Sequence, residues 1–376
     1  MTLARAASIG FYALIAVVTM MMAGQVKTEY RMSASQTRAV VRNRIYLTGI
    51  FVILFLCSAL RFDIGNDYEQ YTKTAHEAFV GGYVVTEAGF NWLVRIVYTL
   101  FGGEYYEIVF AIFAFVTIFI FLKALYEQSV DFKAAFFLFM TLGLYFQTYN
   151  TMRYYLVLAI VLYAMRYVLQ KDWIRFCGWI LVASLFHKSV LVVIPIYWIA
   201  SFSWKKWQII AGILASIVCY LGKNIVLKLA LVLYPSYQNT IYLEGDMSYM
   251  GILRGTVIVA FYLWFVTRYC DTEVAKSREL RFYAQLNLLS VVVYLFFSFL
   301  PVNTRIGYYF SIGQLFMIPM IVQAIPEENR KKNVRILVII ASVIYFGLFL
   351  LTAHQDGVGL LPYRSWIFET ERFIYK

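Results

Sequence analysis

Apolar runs separated by short polar segments occupy most of the chain. A helix that crosses the hydrocarbon core of a membrane needs about 17–25 mostly apolar residues. That length predicts about twelve spans (ten to twelve), at 8–24, 45–60, 104–122, 134–149, 154–169, 174–187, 189–203, 207–222, 251–269, 282–300, 307–325 and 336–352. The segments 174–187 and 189–203 are short and meet at a polar turn, so they could instead form one span and a re-entrant segment. The stretches 87–101 and 223–235 carry charges within apolar sequence, which predicts helices lying in the membrane interface.

Composition supports a membrane protein. Hydrophobic residues make up 62% of the chain and charged residues 14%, whereas soluble domains have about 45–50% and about 25%. This excludes an ordinary soluble enzyme, a disordered chain and a secreted disulfide scaffold. The four cysteines show no CxxC or Cys/His spacing, so no structural metal is predicted. The first apolar run lacks a clear signal-peptide cleavage site and is interpreted as a span.

The net charge of +12 could suggest a nucleic-acid ligand, but its distribution indicates membrane topology. Alternate loops hold 20 of the 33 basic residues and 9 of the 21 acidic ones, and they lie at 25–44, 123–133, 166–175, 201–206, 268–281 and 326–335. Positive charge concentrates in cytoplasmic loops, so these loops are predicted to be cytoplasmic and both termini external. No nucleic acid is then needed to explain the charge.

The predicted fold class is an all-α integral membrane protein that forms a single polytopic domain over 1–376. Residues 61–103 are expected to form an extracytoplasmic loop that contains the amphipathic 87–101 helix. Residues 223–250 are expected to form an extracytoplasmic interfacial segment. The predicted location is a membrane that the chain crosses many times.

Six polar clusters fall on the predicted external side, and each is called here by its range. They are 61–71, 87–90, 149–155, 186–189, 301–309 and 361–366. Ionisable groups at membrane depth are costly and are retained mainly where they line a cavity or carry function. Any single cluster could be an interface anchor, because Trp, Tyr, Lys and Arg are enriched there. All six on one face indicate a shared site.

Three clusters repeat one pattern, an Arg with a Tyr beside it at the mouth of a span: Arg153 with Tyr154, Arg305 with Tyr308, and Arg364 with Tyr363. Arg forms bidentate bonds with phosphate oxygens and stays charged. Several converging Arg residues therefore predict an anionic, diphosphate ligand at the membrane surface. In the 61–71 cluster, Asp63, Asp67 and Gln70 would share one helix face if that segment is helical.

The motifs resemble a known family. They occur in the order Arg61-x-x-Ile64-Gly65-x-Asp67-Tyr68-x-x-Tyr71, Glu87-x-Gly89-Phe90, Arg153, Phe186-His187-Lys188-Ser189 and Leu361-Pro362-Tyr363. Together, over about 61–364, they are similar to the EpsG family of bacterial exopolysaccharide polymerases, which resemble Wzy polymerases in role. The resemblance implies a metal-independent membrane glycosyltransferase of GT-C-like architecture, without a cofactor. Its substrate would be a polyprenyl (undecaprenyl) diphosphate-linked oligosaccharide, and its candidate protein partners a chain-length regulator and export machinery.

The resemblance also suggests roles for individual residues. The growing glycan would leave a lipid diphosphate for a sugar hydroxyl of another lipid-linked repeat unit. The reaction would take place at the bacterial cytoplasmic (inner) membrane, with the active site facing the periplasmic or extracellular side. Cationic groups would stabilise the leaving diphosphate, with Arg61, Arg153, Arg305, Arg364 and Lys188 as candidates. The candidates for the base that takes the hydroxyl proton are Asp67 and His187, with Glu87 third. Substrate contacts are expected from Asp63, Tyr68, Tyr154, Tyr308 and Tyr363.

Alternatives remain open at the sequence level. Asp63, Asp67 and Glu69 could hold a metal in place of some Arg residues. A lipid-linked oligosaccharide flippase or transporter would share the basic, Tyr-rich sites, but transporters tend to carry charge along their spans. A glycan ligase would differ only in its acceptor. For the polymerase, Asp67, Arg153, His187, Arg305 and Arg364 should lie around one cavity.

Overall fold

The computed structural model describes residues 3–27, 37–84, 86–233, 247–301, 303–355, 358–369 and 373. In these ranges the chain forms helices and no β-strand, which confirms the all-α prediction. The first helices are α1 Leu3–Ala23, α2 Thr37–Ala59, α3 Tyr68–Val80, α4 Ala88–Phe101, α5 Tyr106–Gln128, α6 Phe132–Thr141, α7 Leu144–Gln147, α8 Met152–Leu169 and α9 Trp173–Ser184. A 3₁₀ helix, Lys188–Val192, comes next. The others are α10 Val193–Ala200, α11 Lys206–Leu221, α12 Lys223–Leu233, α13 Tyr249–Arg268, α14 Glu273–Lys276, α15 Arg278–Phe296, α16 Asn303–Ser311, α17 Gln314–Ala324 and α18 Glu328–Thr352.

Seven helical segments of the described chain are long and apolar enough to cross a membrane. They are Leu3–Ala23, Ala39–Ala59, Tyr106–Gln128, Met152–Leu169, Tyr249–Arg268, Asn303–Ala324 and Glu328–Thr352. An eighth is possible if α11 and the first part of α12, which meet at an angle of 85°, form one broken span. The chain is therefore a membrane protein, but the predicted count of about twelve is not confirmed.

The difference in count arises where apolar runs form short or interrupted helices. The predicted span 134–149 is divided into α6 and α7, which meet at Gly143. The predicted span 174–187 corresponds to α9, which has only 12 residues. At 1.5 Å per residue such a helix is about 18 Å long, well short of a hydrocarbon core about 30 Å thick.

Other corrections concern where helices start. The predicted span 282–300 corresponds to α15, which begins at Arg278 and carries Glu279 and Arg281 in its first turn. The last predicted span, 336–352, belongs to α18, which begins at Glu328, within the predicted cytoplasmic loop. By contrast, α4 coincides with the predicted 87–101 helix. The segment 223–250 is described in part: α12 covers its start, and 234–246 lie outside the described residues.

The chain divides into two compact units. Unit 1 comprises Met1–Tyr163, Val182–Lys188 and Pro326–Lys376, and unit 2 comprises Ala164–Leu181 and Ser189–Ile325. Unit 1 contains α1 to α7, most of α8, the end of α9, and α18. Unit 2 contains the end of α8, most of α9, and α10 to α17. The prediction of a single polytopic domain stays a prediction.

Helix ends in unit 1 meet at two opposite ends of the bundle. At one end, the Lys27 amide donates to Asn43 Oδ1 over 3.1 Å, and Asn43 Nδ2 donates to the Tyr126 hydroxyl over 3.4 Å. These bonds join the end of α1, the start of α2 and the end of α5. At the other end, the Tyr12 hydroxyl donates to the Leu360 carbonyl over 2.7 Å. The first half of α1 thus contacts the segment that follows α18.

Candidate functional site

The chain leaving α2 pairs with the chain that follows α18. The Phe62 amide donates to the Arg364 carbonyl over 2.9 Å, and the Trp366 amide donates to the Leu60 carbonyl over 3.2 Å. These bonds flank an antiparallel bridge between Arg61 and Ser365. Two segments about 300 residues apart in sequence are thereby fixed side by side. The 61–71 and 361–366 clusters therefore belong to one structure.

Gly65 allows the 149–155 cluster to approach the same region. Its φ is +96°, and a Cβ at this position would lie 2.5 Å from the Tyr149 carbonyl oxygen. Only glycine tolerates both the left-handed backbone and this close approach. Next to it, the Asp67 amide donates to Asn150 Oδ1 over 3.3 Å. The backbone that precedes α3 is thus anchored on the turn that precedes α8.

Glu87 joins two further clusters. One carboxylate oxygen, Oε2, pairs with Nη1 of Arg153, and the other, Oε1, accepts a hydrogen bond from the Lys188 amide over 3.0 Å. The side chains of Arg153 and Glu87 are only 17% and 14% exposed. Removal of either partner from a pair this shielded would leave an uncompensated charge, which is strongly destabilising. Glu87 therefore fixes both the arginine and the 186–189 turn.

Aromatic rings and an open donor complete the surroundings of Arg153. Its guanidinium carbon lies 5.4 Å from the Tyr71 ring centroid and 5.6 Å from that of Phe90, within range of cation–π attraction. Its Nε is buried and has no hydrogen-bond partner among the described residues. The guanidinium is thus positioned by three neighbours and keeps a donor that a ligand oxygen could use.

His187 lies beside Tyr154 in the same network. The two ring centroids are 5.8 Å apart in an edge-to-face arrangement, and the residues are 6% and 3% exposed. The preceding Leu185 carbonyl accepts a hydrogen bond from the Gly89 amide over 2.8 Å. The start of α4 therefore packs directly against the turn that carries His187, while the Lys188 side chain is exposed.

The two acidic residues before α3 differ in environment. Asp63 has a φ of +51° and precedes the helix, whereas α3 begins at Tyr68, directly after Asp67. Asp63 and Asp67 therefore do not share a helix face with Gln70, contrary to the sequence expectation. Asp63 is exposed and pairs with Arg364 over 3.3 Å.

The tail beyond α18 holds Arg364 and Tyr363 in different ways. Arg364 Nε also donates to Glu369 over 3.0 Å, and the Arg364 side chain remains 42% exposed. The Tyr363 hydroxyl instead donates to the Cys57 carbonyl over 2.9 Å. Tyr363 thus anchors the tail on α2 and leaves Arg364 facing outward.

Arg61 is placed in the interior of unit 1. It is 3% exposed, and its guanidinium lies between the rings of Phe110 and Tyr149. Its carbonyl oxygen accepts a bond from the Tyr68 hydroxyl over 3.5 Å. Burial raises the pKa of that hydroxyl, so Tyr68 stays protonated. The prediction that Arg61 holds a diphosphate stays a prediction.

The structure thus joins five of the six polar clusters, which belong to unit 1 except for Ser189, and with them eleven of the thirteen predicted site residues. The sixth cluster, 301–309, lies in unit 2. There Arg305 belongs to α16, and the Tyr308 ring lies 4.9 Å from the guanidinium carbon of Arg254. The roles of Arg305 and Tyr308 in the shared site stay predictions. Among the described residues, no three His, Cys, Asp or Glu side chains are grouped so as to hold a metal.

Sequence reasoning missed the contribution of α1. Besides Tyr12, the Ser8 hydroxyl oxygen accepts a bond from the Tyr363 amide over 2.9 Å. A Ser and a Tyr one turn apart in an apolar run were the available signal, but isolated polar residues are common in membrane helices.

The fold and the polar network define a multi-span helical membrane protein with a polar site at one end of unit 1. The chain belongs to the EpsG family, whose model matches residues 44–365, nearly the whole sequence. That range includes four of the joined clusters, the fifth up to residue 365, and also 301–309. Comparison with curated proteins and with solved structures gives no match.

Proposed function

We propose that this protein is a polysaccharide polymerase that joins polyprenyl-diphosphate-linked oligosaccharide repeat units on the outer face of the bacterial cytoplasmic membrane. Membership of the EpsG family suggests an exopolysaccharide polymerase-type membrane protein. The observation that carries the proposal is the network around Arg153, where a shielded, oriented guanidinium lies next to His187 and the Lys188 turn.

The chemistry follows from this arrangement. In the transfer, the bond between the donor sugar and the carrier's diphosphate breaks, and a bond to an acceptor hydroxyl oxygen forms. Negative charge develops on the diphosphate, so it leaves without a proton, and preorganised cations lower the barrier. Arg153 supplies a fixed cation, while Arg364 and Lys188 supply exposed ones. The acceptor proton passes to a base, for which Asp67 and His187 are the candidates.

Glu87 acts in this proposal as a positioning residue. Both of its oxygens are engaged, one by Arg153 and one by the Lys188 amide. It therefore orients the cation rather than the acceptor hydroxyl. The proposed enzyme needs no metal for this step, since the arginines supply the positive charge.

The test is glycan synthesis by purified protein in detergent, supplied with a lipid-diphosphate-linked repeat unit. We expect a ladder of longer glycans from the wild type and a loss of at least about 100-fold in the Arg153→Ala variant, the size of effect found on removing one transition-state donor. Arg153→Lys should also be impaired, because an ammonium cannot form the bidentate contact. Arg175→Ala is the matched control, since Arg175 is 70% exposed and lies outside the network.

Each outcome distinguishes the functional classes. A ladder that appears only when a different acceptor is added would indicate a ligase. Transport of the lipid-linked unit across vesicles without any ladder would indicate a flippase. A fully active, correctly folded Arg153→Ala variant would reject the diphosphate assignment.

A further inference from the structure

A second feature of unit 1 lies apart from the Arg153 network. Arg61 is a buried guanidinium that forms no ion pair with any described carboxylate; the nearest acid in sequence, Asp63, pairs with Arg364 instead. Its Nη1 donates to the Ser58 carbonyl and, over 3.4 Å, to the Ser58 hydroxyl. Its Nε is buried and has no partner among the described residues. A buried charge that lacks a counter-charge is strongly destabilising.

Arginine cannot escape this cost by losing its proton. Burial lowers the pKa of the Arg61 guanidinium, but the group starts so high that it stays charged in proteins. The rings of Phe110 and Tyr149 offer partial compensation at 5.5 and 5.6 Å. Cation–π contacts contribute at most about 2 kcal/mol or slightly more when desolvated. A negative charge close to the guanidinium is the missing element.

A small cavity lies against Arg61. Its volume is about 10 Å³, and its polar lining consists of Arg61, Ser58, Thr117 and Thr148. The rest of the lining is apolar. That volume is the space over which the centre of a water-sized sphere can move, so the void takes one monatomic ion but not a diphosphate.

The polar lining favours an anion over a cation. Arg61 Nε–H is an unused donor. The Ser58 hydroxyl accepts from Arg61 and so keeps its own hydrogen to donate. The Thr148 hydroxyl is already committed, since it donates to the Tyr145 carbonyl over 2.6 Å. No carboxylate lines the cavity.

We propose that this cavity binds a single monatomic anion, a halide such as chloride, held by Arg61 Nε and the hydroxyls of Ser58 and Thr117. The anion neutralises the buried guanidinium and stabilises the junction where the chain leaves α2 and pairs with 364–366. In this proposal Arg61 binds the halide rather than the lipid carrier. The halide site does not depend on the proposed polymerase activity.

The test is thermal unfolding of the purified full chain in detergent, at constant ionic strength. Chloride or bromide is titrated against gluconate, which is too large for the cavity. We expect a saturable rise in Tm of several degrees with the halide in the wild type. The rise should disappear in Arg61→Gln and persist in Arg175→Gln, which removes an exposed arginine of unit 2.

A second variant covers the case in which Arg61→Gln does not fold. Ser58→Ala combined with Thr117→Val keeps the guanidinium and removes two donors, so the midpoint halide concentration should rise at least about tenfold. Crystals grown in bromide should show an anomalous peak between Arg61 and Thr117. No halide-specific rise in Tm, an unchanged midpoint in the double variant, or a cavity that holds only water would each overturn the proposal.

Discussion

At the scale of single residues, Glu87 shows how a short motif organises distant chain segments. Its carboxylate directly follows the loop before α4, yet its two partners lie 66 and 101 residues further along. Removal of one member of a shielded ion pair leaves the other charge uncompensated. Glu87 therefore affects Arg153 and the Lys188 turn together, and a change at this position should disturb both.

Gly89 permits this arrangement by allowing close backbone approach. A Cβ at Gly89 would lie 2.7 Å from the Leu185 carbonyl oxygen, a backbone atom that cannot move alone. We predict that Gly89→Ala lowers the free energy of unfolding by about 1–3 kcal/mol and reduces glycan synthesis, because α4 and the His187 turn separate. Thermal unfolding and the ladder assay measure the two effects.

The control for this prediction is Gly10→Ala, because a Cβ at Gly10 meets no atom within 4 Å. This change lies within α1 and should be neutral or stabilising, by up to about 1 kcal/mol, through helix propensity alone. Equal behaviour of the two variants would show that the contact between Gly89 and Leu185 does not constrain the site.

The sequence indicated the residues of the site better than their contacts. Arg153, His187 and Arg364 were found because ionisable groups at span ends are conspicuous in an apolar chain. The pairing of Glu87 with Arg153 was not predictable, since nothing in the spacing of two residues 66 positions apart favours it. The burial of Arg61 was also hidden, because a hydropathy pattern does not distinguish an arginine inside an aromatic cage from one at the surface.

At the scale of helices, the packing of α15 against α16 and α17 creates a polar seam inside unit 2. A Cβ at Gly313 would lie 2.9 Å from the Tyr283 ring, and one at Gly307 would meet the Tyr294 ring. These two contacts set an antiparallel register. Asn287, Ser311 and Gln314 are buried polar residues of these helices.

Asn287 allows a test of how much the buried polar residues of this seam lower the free energy of unfolding. The residue is 0% exposed, and neither atom of its side-chain amide has a partner within the described chain. A buried polar group left unpaired costs about 1–3 kcal/mol. Asn287→Leu, of similar volume, should therefore leave the free energy of unfolding unchanged or raise it by up to that amount, as measured by equilibrium unfolding in mixed detergent micelles.

Asn43 is the matched comparison in unit 1. It is 2% exposed, and its amide bonds the Lys27 backbone at both atoms, over 3.1 and 2.8 Å. Asn43→Leu should lower the free energy of unfolding by about 1–3 kcal/mol, because the Lys27 groups lose their partners. If Asn287→Leu is as damaging as Asn43→Leu, then Asn287 has a partner, such as bound water, that stabilises the seam.

Helix existence was predictable, but helix continuity was not. Uniform apolar runs gave α1, α5 and α8 nearly as the structure has them. The interruptions at Gly143 and between α16 and α17 were missed because the average hydrophobicity of a span does not reveal a break at a single residue. At Gly143 the φ of +73° ends a helical turn against the Phe349 ring, a tertiary contact that no local pattern reports.

At the scale of the whole molecule, the separation of the two ends of unit 1 matches the predicted charge topology. The end that contains Lys27, Asn43 and Tyr126 belongs to loops predicted to be cytoplasmic. The opposite end carries the joined polar clusters. Both ends belong to unit 1, so the membrane side on which each end lies can be tested with substitutions in that unit alone.

Cysteine labelling in intact cells tests this topology. In a background in which the four native cysteines are replaced, Asn66→Cys at the site end and Lys133→Cys at the opposite end place thiols at exposed positions outside the proposed catalytic groups. A membrane-impermeant maleimide should label position 66 in intact cells, and position 133 only after the membrane is permeabilised. Because the carrier's diphosphate is proposed to be held outside the cytoplasm, the reverse pattern would place the Arg153 network on the wrong face and reject the polymerase proposal. Labelling of both positions from outside would instead mean that the helices of unit 1 do not cross the membrane, which the 23-residue apolar helix α5 argues against.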